Sequence, residues 1–270
     1  MRTTTRTVAG DKTVPIPQPL VSIRSLAELQ IAMEQDLPWI DLKEPSRGSL
    51  GRPDPDVAWS IYQEFLRRMA DAPVRPSFSI ALGELMDSTD EVLQDYCRPY
   101  GGDVYWKIAL AGCDAHSGWQ DRVAHLVQSV SKPSQWILVH YADAEKANAP
   151  TWDDILQVSK ALECEYILVD TWEKRGDSLL DIVRVDTLKH MAAHSHAMGL
   201  QMAMAGSLRK SQLSALWGLG ASYLGFRGDL CEGQTRTARI GADSLQQLCD
   251  AFRQFSESTH PRTESSHVIR

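Results

Sequence analysis

Short apolar runs alternate with longer amphipathic segments from about residue 20 to residue 258. The runs predict strands over residues 20–23, 39–43, 77–82, 104–110, 136–139, 166–170, 200–205 and 222–226. Between them lie helical signals. Ser25 with Glu28 three residues on reads as a capping box, and Val57, Ile61, Phe65 and Met69 form an apolar stripe behind Asp56. Further helices are predicted over residues 88–97, 121–130, 186–198 and 243–255, one capped by Thr151, and one running from Ser207 to Trp217.

Strand and helix in strict alternation indicate a parallel sheet. Eight such units in one unbroken series predict an α/β chain folded as a single (β/α)8 barrel over residues 19–258. Residues 1–18 are then a flexible N-terminal arm, and residues 259–270 a disordered C-terminal tail. At 270 residues the chain has the length of one such barrel.

The formal net charge of −7, with no basic run, gives no reason to expect nucleic acid as a partner. A phosphorylated small molecule needs only a local cradle of N–H groups and one or two cations. Five cysteines without a C-x-x-C pair fit a reducing compartment and argue against a disulfide framework or structural zinc. No apolar stretch reaches membrane-helix length, and the first seventeen residues lack a secretory core. A cytoplasmic enzyme is the expectation, with a homo-oligomer formed through exposed helix faces.

A barrel of this kind points its strand C-termini into one mouth. Three lysines fall there: Lys43 in Asp41-Leu42-Lys43-Glu44-Pro45, Lys107 in Tyr105-Trp106-Lys107-Ile108, and Lys174 after Ile167-Leu168-Val169-Asp170. Gathered amines suppress one another's protonation, which makes a lysine nucleophilic toward a carbonyl. Asp41 and Lys43, two apart on a strand, share a face, so the acid is placed to orient the amine and shuttle its protons. A lysine snorkelling to solvent beside a surface acid is the plainer alternative. Lys107 is a lone charge in an apolar strand and needs a partner there. Asp170 ends its strand as an acid/base candidate.

Gly206 and Ser207 leave the seventh strand, and Arg227 and Gly228 leave the eighth. Those two loops frequently hold phosphate in such barrels. Tight turns are the competing reading for the glycines. The His190/His194 pair has metal-site spacing but lacks a third ligand, so an exposed polar face is expected. Cys231 reads as buried and inert, and nothing fixes the direction of Glu84 after the third strand.

The stretch Asp41-Leu42-Lys43-Glu44-Pro45-Ser46-Arg47-Gly48-Ser49-Leu50-Gly51 closely resembles the opening motif of the (5-formylfuran-3-yl)methyl phosphate synthases, which make the furan of methanofuran, a one-carbon carrier. Lys107-Ile108-Ala109-Leu110, Tyr141-Ala142-Asp143, Asp170-Thr171 with Lys174, Ala205-Gly206-Ser207, and Arg227-Gly228 with Cys231-Glu232-Gly233 follow in the family's order. The resemblance covers roughly residues 20–250. It implies a TIM barrel and a lyase that condenses two glyceraldehyde 3-phosphate molecules, losing phosphate and water, without metal or organic cofactor. It also implies that Lys43 forms the Schiff base, with Asp41 as its paired acid and Lys107, Asp170 and Lys174 completing the set. Lys107 would hold a phosphate or lower the pKa of Lys43. His140 and the residues flanking Lys174 depart from the family pattern. A class I aldolase acting on a sugar phosphate, and a non-catalytic barrel that binds a phosphorylated metabolite, remain alternative readings of the same residues.

Overall fold

The computed structural model describes residues 14–70, 75–130, 132 and 135–259. Most of the predicted arm and nearly all of the predicted tail lie outside the described residues. Eight parallel strands close into a barrel in sequence order, with β8 returning to β1. They are β1 (Gln18–Ile23), β2 (Trp39–Leu42), β3 (Ser77–Glu84), β4 (Val104–Ala109), β5 (Trp136–Tyr141), β6 (Tyr166–Asp170), β7 (Gln201–Met204) and β8 (Tyr223–Phe226).

The helices are α1 (Leu26–Met33), α2 (Pro55–Met69), α3 (Asp90–Cys97), α4 (Trp119–Val130), α5 (Ala144–Ala147), α6 (Trp152–Ala161), α7 (Leu179–Ile182), α8 (Val185–Ala197), α9 (Leu213–Leu216) and α10 (Ala242–Thr259). Local chemistry sets their starts. Thr151 Oγ1 accepts from the Asp154 N–H at the head of α6, and Pro55 supplies a preset φ at the first position of α2. Among the described residues, no helix is long and apolar enough to cross a membrane.

Three local expectations are corrected. Ser25 does cap α1, but Glu28 turns its carboxylate to the Arg24 N–H and to Arg227 instead of closing a box on Ser25. Val57 is 44 % exposed, and α2 packs through Ala58, Ile61, Tyr62 and Phe65. Ser207 does not cap a helix: it sits at φ 50°, and only a 3₁₀ turn and the four-residue α9 follow.

Alternation along each strand divides the core in two. Outward residues such as Ile40, Leu42, Ile80, Trp106 and Ile108 meet the helices. Inward residues, among them Leu20, Trp39, Ala81, Ala109, Val139 and Leu168, fill the barrel. All five cysteines are buried and free.

Candidate active site

The barrel interior is stacked in layers from alternate strands, as expected of this geometry. Trp39, Tyr105, Tyr166 and Tyr223, from β2, β4, β6 and β8, form an aromatic floor. The Trp39 ring lies 4.7, 5.0 and 4.9 Å from the other three centroids. Two residues further along the same strands come Asp41 and Lys107. Two further again come Lys43 and Asp170, at the carboxyl ends. Period-two alternation therefore carries each acid and amine to a set depth above a rigid apolar base.

Asp41 is wholly buried, and its ion partner is Lys107, itself 2 % exposed. Its oxygens also accept from Ser22 Oγ at 2.9 Å and Ser79 Oγ at 2.7 Å. Trp39 Nε1 in turn donates to Ser79 at 3.0 Å. Burial would raise the Asp41 pKa, but Lys107, then Lys43, hold it below the ordinary carboxylate value. The expectation that Asp41 directly orients Lys43 is corrected, since among the described residues its bonds go to Lys107, Ser22 and Ser79 and none reaches Lys43. Its influence on Lys43 is that of a nearby charge.

Asp170 accepts from Lys174 Nζ at 2.6 Å and from the Thr171 N–H at 2.7 Å on Oδ1, and from Ser49 Oγ at 3.3 Å on Oδ2. Lys174 also donates to Thr171 Oγ1 at 2.9 Å. Burial opposes the charge on Asp170, yet Lys174 and Lys43 pull its pKa down.

Lys43 differs from both other lysines. It is 8 % exposed, and among the described residues its ammonium makes no hydrogen bond and no ion pair. Burial is the largest influence on it, offset by Asp170 and reinforced by Lys107, and its pKa falls to about 7. Near neutrality about half of such amines are unprotonated and nucleophilic.

The loops around the mouth are pinned. Asp143 accepts from the Trp172 and Glu173 N–H groups at 2.7 and 3.0 Å, which sets the loop bearing Lys174. Gly51 lies so close to the Glu44 carbonyl that a Cβ would come within 2.1 Å of it, so glycine alone permits the fold of the loop after β2. That fold brings Ser49 to Asp170. His140 points outward to Trp152, 5.6 Å between centroids, and takes no part in the mouth.

Ser207 and Gly228 line a cavity of about 360 Å³ with Lys174, Gly176, Arg209, Asp229, Gln234, Thr235 and Arg236. A contiguous hollow adds Lys43, Asp170, Gly206 and Arg227. Gly206 is at φ 105°, and a Cβ there would meet Thr171 Cγ2 at 2.8 Å.

Arg227 departs from the expected phosphate contact. Its guanidinium donates to the Arg236, Ser22 and Ala238 carbonyls and forks onto the Glu28 carboxylate at 2.9 and 3.2 Å. Those five bonds use every N–H it carries. The cavity is instead lined by Arg209 and Arg236, and Arg236 gives one bond at 2.9 Å to the Gly48 carbonyl. No sequence pattern singled out Arg236. The His190/His194 pair lies on α8 with His194 facing Asp153 at 3.7 Å. Among the described residues no group of three or more His, Cys, Asp or Glu side chains gathers as metal ligands.

The architecture is that of the (β/α)8 barrel enzymes. Phosphoribosyl anthranilate isomerase from Thermus thermophilus superposes with a TM-score of 0.55 at 14 % identity, covering 88 % of this chain and 99 % of that one. A ribulose-1,5-bisphosphate carboxylase/oxygenase from Pyrococcus horikoshii gives 0.55 at 13 %, covering 88 % and 59 %. At such identities the likeness concerns the fold alone.

Sequence narrows the class. The family model described as 4-HFC-P synthase matches residues 19–249, and the chain belongs to that family. A (5-formylfuran-3-yl)methyl phosphate synthase of Methanobrevibacter smithii is 30 % identical over 221 residues, 79 % of this chain and 90 % of that protein. The synthase of the same name from Methanothermobacter thermautotrophicus is 28 % identical over 247 residues, 87 % and 99 % of the two chains.

Proposed function

We propose that the protein condenses two molecules of glyceraldehyde 3-phosphate into (5-formylfuran-3-yl)methyl phosphate, a lyase reaction serving methanofuran biosynthesis. The observation that carries this reading is Lys43, a buried amine with a pKa of about 7 and, among the described residues, no ion partner, lining a hollow shared with Asp170, Lys174 and Arg236. The family membership and the names of its relatives point the same way.

One triose isomerises to the ketose, with Asp170 taking the proton from carbon and Lys174 polarising the oxygen. Lys43 Nζ attacks a triose carbonyl, and loss of water leaves an imine that acts as an electron sink. The carbon nucleophile so formed adds to the second aldehyde. Elimination of one phosphate and dehydration on ring closure complete the furan. Lys107 and Asp41 lie beneath, where Lys107 keeps the Lys43 amine from protonating. The N–H groups at Gly206, Ser207 and Gly228, with Arg209 and Arg236, suit the phosphate.

Borohydride reduction in the presence of glyceraldehyde 3-phosphate, followed by peptide mass spectrometry, should place the adduct on Lys43. Ultraviolet absorbance of a furfural-type product from that triose alone separates this activity from a class I aldolase, which would also trap. An unmodified Lys43 would falsify the assignment and favour a binding barrel.

A further inference from the structure

The third strand does not end regularly. Its pairing with β4 shifts register between Ala81 and Glu84, and Gly83 takes φ 83°. Simple alternation would give Glu84 the outward face opposite to Ser79 and Ala81. The bulge re-aims it, as bulges beside active sites commonly do.

Glu84 thus reaches the mouth. It accepts from the Tyr141 hydroxyl at 2.5 Å and from the Ala111 N–H at 2.8 Å. Tyr141 is wholly buried at the end of β5, paired in register with Asp170. The Ser49 side chain lies beside this hydroxyl, where it offsets part of the rise that burial imposes on the Tyr141 pKa. The Ser49 hydroxyl is in turn 3.3 Å from Asp170 Oδ2 and 2.8 Å from the Thr171 carbonyl. A row of hydroxyls and carboxylates therefore runs from Asp170, 1 % exposed, through Ser49 and Tyr141 to Glu84, which retains contact with solvent. Its one open step is the Ser49 proton, held by the Thr171 carbonyl.

We propose that Ser49, Tyr141 and Glu84 form a proton relay that carries the proton taken up by Asp170 out to water. It rests on the triose-phosphate reading, in which Asp170 accepts a proton from carbon.

The step balances without any co-reactant. Protonated Asp170 gives its proton to Ser49 Oγ, Ser49 gives its own to the Tyr141 oxygen, and Tyr141 gives its own to Glu84. Each hydroxyl ends with one proton, Asp170 is again a carboxylate, and Glu84 is the acid that releases to solvent. The last bond is already aligned in that sense, since Tyr141 donates to Glu84. Ser49 need only turn its proton from the Thr171 carbonyl. Burial raises the Glu84 pKa, so this carboxylate is a competent proton acceptor. A relay of this kind matters because Asp170 has almost no water of its own to exchange with.

The test uses glyceraldehyde 3-phosphate deuterated at C2 with the full chain, and reads how the label divides between water and the ketose carbon. The wild type should release deuterium to water. Tyr141→Phe and Glu84→Gln should keep it on carbon, with release slowed roughly 10²-fold and Lys43 still trapped by borohydride. Formate or imidazole should restore release in Glu84→Gln, which a merely bracing role would not allow. Ser49→Ala, which removes little bulk, provides a third variant if either of the others fails to fold. Equal division of label in wild type and all folded variants overturns the relay, as does a wild type that releases none. Furan formation is scored separately, so a failure of the proposed function is told apart from a failure of the relay.

Discussion

Lys107 is ion-paired with Asp41, two residues before Lys43 on the same inward face of β2. The pair neutralises itself in the layer under the mouth. Lys43 is left above it, buried and, among the described residues, without a bonded anion. Burial first, and then Lys107, lowers its pKa to about 7 against the opposing pull of Asp170.

The first consequence is a pH profile. Imine formation needs the neutral amine, so kcat/KM for the triose phosphate should fall with acidification through about 7. Lys107→Met removes a charge that lowers the Lys43 pKa and frees Asp41, which raises it. The acid limb should therefore move upward by about one unit. A limb that stays in place or moves down would contradict the assignment.

Lys43 should also weaken the fold it serves. Its folded pKa of about 7 lies below the ordinary 10.5. The unfolded chain thus binds the extra proton between those values, and the destabilisation is fully present below pH 7 and fades as pH rises toward 10.5. Lys43→Met should abolish trapping yet stabilise the protein at pH 7 by a few kcal/mol, with about 5 kcal/mol as the upper bound, read as a raised Tm. Thermal melts at pH 7 and pH 10 should show the gap narrowing.

Lys107→Met should behave oppositely in a melt. It strands the Asp41 carboxylate in the core with only Ser22 and Ser79 as donors. Breaking a buried pair from one side costs about 3–5 kcal/mol. Denaturant titration should find the midpoint lowered, and Asp41→Asn in the same chain should recover part of the loss.

Two arginines near the eighth strand should separate stability from affinity. Arg227→Met leaves Glu28 buried and uncompensated and should destabilise by about 3–5 kcal/mol. Arg236→Ala should leave Tm within a degree or so while weakening competition by inorganic phosphate about tenfold. Isothermal titration with phosphate alongside melts of both variants reads the contrast.

Much of the barrel was legible because its signals are local. Tyr166–Asp170 reads as a strand from composition alone and is one, buried along its whole length. The cap at Thr151 needs nothing beyond its own turn. Lys43, Asp170 and Lys174 could be placed at the mouth once the strands were numbered, since parallel strands share a carboxyl end.

Pairing was not legible, because it depends on which inward residues share a layer. Asp41 and Lys43 are neighbours on one strand, but the acid meets Lys107 from two strands away, at its own depth. Arg227 looked like a phosphate ligand from its loop, and Glu28 like a capping residue from its helix. Each is the other's partner across 199 residues of chain.

The sequence by itself determined the order of strands and helices and which side chains face inward, since both follow from periodicity along neighbouring residues. Only the closed barrel decided which charges neutralise one another and which amine is left over. It also turned Glu84 inward, through a register shift that alternation does not anticipate. The physical reason is range: periodicity acts over a few residues, whereas an ion pair or a bulge is settled by the strand packed alongside.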